Sequence, residues 1–122
     1  MTQSPHNLLT IYHKPNCSKS KEACGLIKTY GIPFTIREYI IDPLNEKELK
    51  ALLKKLKLKA EQIVRTKEPL YKEKYLDKKI SESQWIKILA KNPILIERPI
   101  FELGNKAVIG RPPENIKQLI KI

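Results

Sequence analysis

The chain has 122 residues, enough for a single domain with one core and a helical excursion. A hydrophobic content of 41% with nine prolines fits a compact α/β protein and excludes a disordered one, and two cysteines are too few for a disulfide scaffold. The net charge of +11 invites a nucleic-acid reading. However, lysines such as Lys47, Lys50, Lys54, Lys55, Lys57 and Lys59 are spread singly along helix faces, with no interleaved aromatics and no helix-turn-helix pattern. A solvated surface that steers small anions is expected instead of a nucleic-acid face.

No apolar run approaches the roughly 20 residues of a membrane span, and the N-terminus carries no signal-peptide pattern. The expected setting is the reducing cytoplasm, with no membrane association and a monomeric state. Residues Met1 to Asn7 are polar and read as a loose tail, in which His6 has no chemical role.

In chain order, Leu8 to Tyr12 is an apolar run that predicts a short buried strand. An amphipathic run from about Ser18 to Tyr30 predicts a helix, stopped by Gly31. Pro33 to Ile40 alternates as a second strand, so the first three elements form a right-handed parallel crossover. Asp42-Pro43 breaks the pattern, and Asn45 with Glu48 forms a capping-box signature before Leu49, Leu52, Leu53 and Leu56 at helical spacing, predicting a helix to about Leu58. Ala60 to Val64 is a short helical piece, and the lysine-rich segment after Pro69 is helical or irregular and exposed. Ser81 with Gln84 caps a further helix through Trp85, Ile86, Ile88 and Leu89. Residues 42–92 are therefore expected as a helical insertion, its leucine stripe and Trp85 serving as core. Pro93 to Ile96 is expected to begin the third strand. Gly104-Asn105 marks a tight hairpin between Pro99–Leu103 and Lys106–Ile109, and Pro112-Pro113-Glu114 opens a last helix ending at Leu119 and Ile120. The predicted architecture is α/β: a four-stranded mixed sheet with flanking helices, its βαβ and ββα halves separated by the helical insertion.

The chemistry gathers on His13-Lys14-Pro15-Asn16-Cys17-Ser18-Lys19-Ser20. Cys17 falls in the turn from the first strand into the first helix, at the carboxyl end of a parallel strand where functional loops lie. Unpaired amides and the helix dipole favour a thiolate there, and Lys14, Lys19 and Lys21 act in the same direction. A thiolate is a nucleophile, and the same amides can receive an oxyanion. The alternative is a small buried cysteine ending a turn, against which stand Pro15 before it and the polar residues after it.

Arginine is used sparingly, four residues against 20 lysines, so its placement is informative. Arg37 alternates outward on a strand and reads as surface. Arg65 ends a helical piece, whereas Arg98 and Arg111 are held against prolines near strand ends. A planar guanidinium offers paired donors that match a tetrahedral oxyanion, which an ammonium does not; each could otherwise cap carbonyls or pair with a glutamate. His13 is placed either to support the thiolate or to brace the loop. The two cysteines and two histidines lack metal-ligand spacing, so no metal is expected. Cys24 lies seven residues beyond Cys17, about 10.5 Å along a helix and too far for a disulfide, among Ala23, Leu26 and Ile27; it is expected to be an inert packed thiol.

The run from His13 to Ser20, with Arg65, Pro93 to Ile100 and Gly110-Arg111-Pro112, resembles the glutaredoxin-coupled arsenate reductases, over nearly the whole chain from Leu8 onward. The resemblance implies a thioredoxin-like fold, a catalytic Cys17, oxyanion binding by Arg65, Arg98 and Arg111, and a cis Arg98–Pro99 bond; His13 is counted with Cys17 at the catalytic site, its role left open, and Ser20 and Pro99 as structural there. It also implies that the cysteine attacks arsenate, that glutathione attacks the adduct as a co-substrate, and that glutaredoxin recycles the mixed disulfide; no cofactor is held. The same fold includes Spx-type regulators, which bind RNA polymerase and sense oxidation through a Cys-x-x-Cys pair, and reductases acting on another substrate are a further alternative. Here the second cysteine position is Ser20.

Overall fold

The computed structural model describes residues 8–14 and 17–120, so the N-terminal tail with His6, and Pro15 and Asn16 of the loop, lie outside the described residues. The chain divides into two compact units, Met1–Asp42 with Arg98–Ile122, and Pro43–Glu97.

The first unit is built on strands β1 (Leu9–His13), β2 (Phe34–Glu38), β3 (Ile100–Leu103) and β4 (Lys106–Ile109), with helix α1 (Ser18–Thr29) between β1 and β2. The sheet order is β2-β1-β3-β4. Strand β1 pairs parallel to β2, with Ile11 opposite Ile36, and antiparallel to β3, with Ile11 opposite Phe101. Strands β3 and β4 form the predicted hairpin, in which Gly104 takes the left-handed conformation at φ 60° that the tight turn demands. Alternation on β1 sends Leu9 and Ile11 to one face, where they meet Ala23 and Ile27 of α1, Phe101 and Ile116 in a core fully removed from solvent. On the other face the Tyr12 hydroxyl donates to the Glu102 carboxylate. The last element is the expected helix, wound as a 3₁₀ helix over Pro113–Gln118 and packed on α1 and β4, ending just short of Leu119 and Ile120. Proline at its first turn and only six residues favour the tighter winding.

The second unit holds α2 (Glu46–Leu56), α3 (Pro69–Lys74) and α4 (Glu82–Lys91), with 3₁₀ segments Ala60–Ile63 and Pro93–Leu95. Both predicted capping boxes are present: Asn45 accepts from the Glu48 amide while Glu48 accepts from the Asn45 amide, and Ser81 and Gln84 reciprocate likewise. Helix α2 ends at Leu56 because Lys57 turns left-handed at φ 58° and caps it, short of the expected Leu58. Leu49, Leu52, Leu53 and Leu56 are buried, as are Trp85, Ile86 and Leu89 on α4, which packs against α2 and both 3₁₀ segments. At roughly 1.5–3 kcal/mol for each fully buried large apolar side chain, this stripe alone is a substantial core.

One expectation is corrected. Pro93 to Ile96 does not begin a strand: Pro93–Leu95 is a 3₁₀ turn, and only Ile96 makes an isolated antiparallel bridge, to Val64. An apolar run fits a buried turn as well as a strand, and proline at the first helical position favours the turn. The helical unit accordingly extends over Pro43–Glu97, where 42–92 was expected.

Candidate active site

Cys17 is the N-cap of α1, with extended backbone (φ −95°, ψ 118°), and its carbonyl accepts from the Lys21 amide at 3.0 Å. No acidic residue occupies the first turn, so nothing there neutralises the positive end of the helix. Partial burial by itself pushes the Cys17 thiol up. The Ser20 amide and hydroxyl, the Lys19 amide and the Arg111 charge together outweigh it, and the thiol lies below its ordinary value. Ser20 is fully buried, and among the described residues its hydroxyl meets no partner within ordinary hydrogen-bond limits. An ionised Cys17 sulfur is the acceptor that its donation favours.

Arg111 follows β4. Its Nη2 lies 4.0 Å from the Cys17 sulfur, and its Nε donates to the Arg98 carbonyl at 2.5 Å. Arg98 precedes β3 and is only 6% exposed, yet its Nε and Nη1 have no partner among the described residues. Unpaired buried donors on a cation are costly, and an anion is the partner that would relieve the cost. The two arginines are held side by side because the Gly110 amide donates to the Pro99 carbonyl at 2.8 Å, closing the base of the β3–β4 hairpin. Both the Arg98–Pro99 bond, as expected, and the Arg111–Pro112 bond are cis.

Gly110 stands in the quoted Gly110-Arg111-Pro112 motif with no role of its own, and Asn115 carries no local signal. A Cβ at Gly110 would stand 2.6 and 2.7 Å from the Phe101 ring and 3.0 Å from Pro99. Asn115 Nδ2 donates to the Ile109 carbonyl at 2.9 Å and to that of Arg111 at 3.3 Å, bracing the turn that presents Arg111. A glycine flanked by arginine and two prolines is the only trace of this in the sequence.

The other expected site residues are placed differently. The imidazole of His13 meets Cys24, with 4.0 Å between Nδ1 and the sulfur. Burial lowers the His13 pKa and Lys21 adds to this, while Glu38 opposes it; the ring is therefore neutral near pH 7. Cys24 packs against the core, and burial pushes its thiol up, with Lys28 opposing. Both cysteines are free. Lys21 thus bears on His13, and Arg111 bears on the Cys17 sulfur. Arg65 belongs to the helical unit, where its Nη1 lies 2.9 Å from Glu68 and its Nε 3.7 Å from Glu97. Arg37 pairs with Asp42 at 3.4 Å. Among the described residues no three His, Cys, Asp or Glu side chains converge as a metal site requires, and no helix is long and apolar enough to cross a membrane.

A parallel βαβ half and an antiparallel ββα half, with a cysteine of lowered pKa capping the first helix and Arg111 beside its sulfur, define a protein of thioredoxin-like fold. Residues 12–119 match the profile of the ArsC family, and the chain belongs to that family. It is 40% identical over 112 residues to the arsenate reductase of Haemophilus influenzae, covering 90% of this chain and 97% of the relative. The structure of arsenate reductase from Vibrio cholerae superposes with a TM-score of 0.88 at 37% identity, covering 93% of this chain and 98% of the other. A further relative, the global transcriptional regulator Spx 2 of Lactococcus lactis, is 32% identical over 114 residues, covering 93% of this chain and 86% of its own.

Proposed function

We propose that the protein is a thiol-dependent reductase of arsenate, acting as a cytoplasmic monomer with glutathione and glutaredoxin as electron donors. The observation that carries this reading is the Arg111 guanidinium 4.0 Å from a low-pKa thiol, tied to a buried Arg98 with unpaired donors. In the proposed sequence the Cys17 thiolate attacks As(V) and a protonated oxygen leaves as water, forming an S–As bond. Arg98 and Arg111 hold the remaining oxygens. A glutathione thiolate then attacks the adduct. Arsenic gains two electrons and departs as arsenite, and the two sulfurs, each losing one, join as a mixed disulfide. Glutaredoxin reduces that disulfide by thiol exchange, restoring Cys17. Ser20 stabilises the thiolate, Pro99 shapes the arginine turn and His13 braces the end of β1 from its place beside Cys24.

A second reading, an Spx-like regulator binding RNA polymerase, is favoured by the Lactococcus relative. Ser20 stands against it, since a redox switch needs a second thiol where this chain has a hydroxyl. A third keeps the thiol chemistry with another oxyanion. Arsenate-dependent NADPH oxidation, coupled through glutathione reductase, glutathione and glutaredoxin, decides among them. Turnover that requires Cys17 supports the first; no turnover with arsenate, with binding of another oxyanion retained, supports the third; neither turnover nor anion binding, with polymerase captured, supports the second.

A further inference from the structure

Helix α4 carries two stripes. Trp85, Ile86 and Leu89 are buried on one, whereas Gln84, Lys87 and Ile88, at i, i+3 and i+4, line an outward groove of about 390 Å³. The opposite wall is the turn that follows α3, which contributes Tyr75 and Ile80. That turn is firmly held: the Tyr75 and Leu76 amides both donate to the Tyr71 carbonyl, at 2.8 and 3.0 Å, and the Lys78 amide donates to Tyr75 at 3.2 Å. The floor is apolar, since Tyr75, Ile80 and Ile88 are half-buried. The rim is cationic: Lys74, Lys78, Lys79 and Lys87 are exposed, no carboxylate lines the groove, and no ion pair with a described residue engages these four.

An apolar floor inside a ring of like charges is complementary to one kind of ligand, an acidic chain that also carries apolar anchors. Nucleic acid fits less well. Single strands need an aromatic face for base stacking, and the Tyr75 ring is already packed on Trp85, with centroids 5.6 Å apart. A small molecule fits less well too, because such sites enclose most of their ligand, whereas every lysine here is exposed. We propose that this groove docks an acidic, amphipathic peptide segment of a partner protein. Apolar side chains one helical turn apart seat on Tyr75, Ile80 and Ile88, and flanking carboxylates pair with the lysines. The proposal is independent of the thiol chemistry.

The test is titration of the full-length, isotope-labelled protein, followed by amide chemical shifts. The probes are a glutamate–leucine peptide with leucines at i, i+3 and i+4, a scrambled peptide of the same composition, polyglutamate of equal length, and oligouridine. The patterned peptide is expected to shift amides from Tyr75 to Ile88 and to bind about tenfold or more tighter than the scrambled peptide. Lys78→Glu with Lys79→Glu is expected to weaken binding about tenfold or more, as is added salt. Lys87→Glu, a single change on an exposed helical face, gives the same reading should the double variant not fold. Equal binding of scrambled peptide or polyglutamate, undiminished binding by the charge-reversed variants, tighter binding of oligouridine at the same amides, or no shift there would each overturn the proposal.

Discussion

Arg111 Nη2 lies 4.0 Å from the Cys17 sulfur across a separation of 94 residues. The contact joins the two halves of the sheet unit, since Cys17 caps the helix of the βαβ half and Arg111 leaves the last strand of the ββα half. The same guanidinium grips the Arg98 carbonyl through Nε. One side chain therefore ties the nucleophile to the second arginine, and a change at Arg111 bears on both.

Arg111→Lys keeps the charge but loses the Nε donor and the paired-donor geometry, and Arg98→Lys loses the same geometry within a buried site. Arsenate affinity, or arsenate-dependent turnover, should fall about tenfold or more in each, with little change in far-UV circular dichroism. Values equal to those of the native protein would remove the arginine pair from the site.

Ser20→Ala removes a buried hydroxyl that favours the thiolate without introducing a new polar group. The pH profile of Cys17 alkylation should shift toward the ordinary 9.0, with a slower rate near neutrality. In the native protein reactivity rises with pH through a value below 9.0 and is lost on acidification. An unmoved profile would assign the lowered pKa to the helix amides and Arg111 alone.

Cys17→Ser should abolish turnover. Cys24→Ser should retain most of it and lose about 1 kcal/mol of stability, as expected for a modest polar change in a partly buried site. After turnover, mass spectrometry should find glutathione on Cys17 and no intramolecular disulfide. A folded but inactive Cys24→Ser protein would make Cys24 the resolving thiol.

Gly110→Ala drives a methyl into the Phe101 ring and Pro99. Overpacking of this kind costs about 1–3 kcal/mol. Because Gly110 sets the closing hydrogen bond between the two arginine turns, anion affinity should fall together with the melting temperature. A melting temperature that drops with affinity unchanged would separate packing from positioning.

His13 has a pKa below its ordinary 6.5 because the folded state disfavours its charged form, chiefly through burial. The unfolded chain therefore binds the proton more readily, and the stability contributed is present above 6.5 and lost as pH falls through the lowered value. Chemical denaturation of the native protein and of His13→Gln should show a native advantage that shrinks over this acidic window. An advantage constant with pH would mean that the imidazole contributes by packing alone.

Features set by neighbours in sequence were legible beforehand. Asn45 and Ser81 announced their helices through the glutamate and glutamine three residues on, Gly104-Asn105 announced its hairpin, and Cys17 followed from strand, proline and helix in succession. What failed to show was decided by residues far away. Pro93 to Ile96 has the same apolar composition whether it forms a strand or a turn, and its outcome rests on the carbonyls it meets: the Arg65 amide donates to Leu95 and the Glu97 amide to Ile63. The approach of Glu97 to Arg65 and the turning of His13 toward Cys24 are likewise tertiary facts. Gly110 carries its requirement in the ring of Phe101, which nothing in the local sequence indicates.

Trp85 is the sole tryptophan of the chain, and it sits in the helical unit against Tyr71 at 6.4 Å and Tyr75 at 5.6 Å. Its emission is thus a private reporter of that unit. Cys24, half-buried against the core of the sheet unit, is the matching reporter for the other through its accessibility to a thiol reagent once Cys17 is blocked. Heating that changes both signals together would mark one cooperative body. A tryptophan transition that comes first would mark an insertion able to open while the sheet beneath the thiol stays intact.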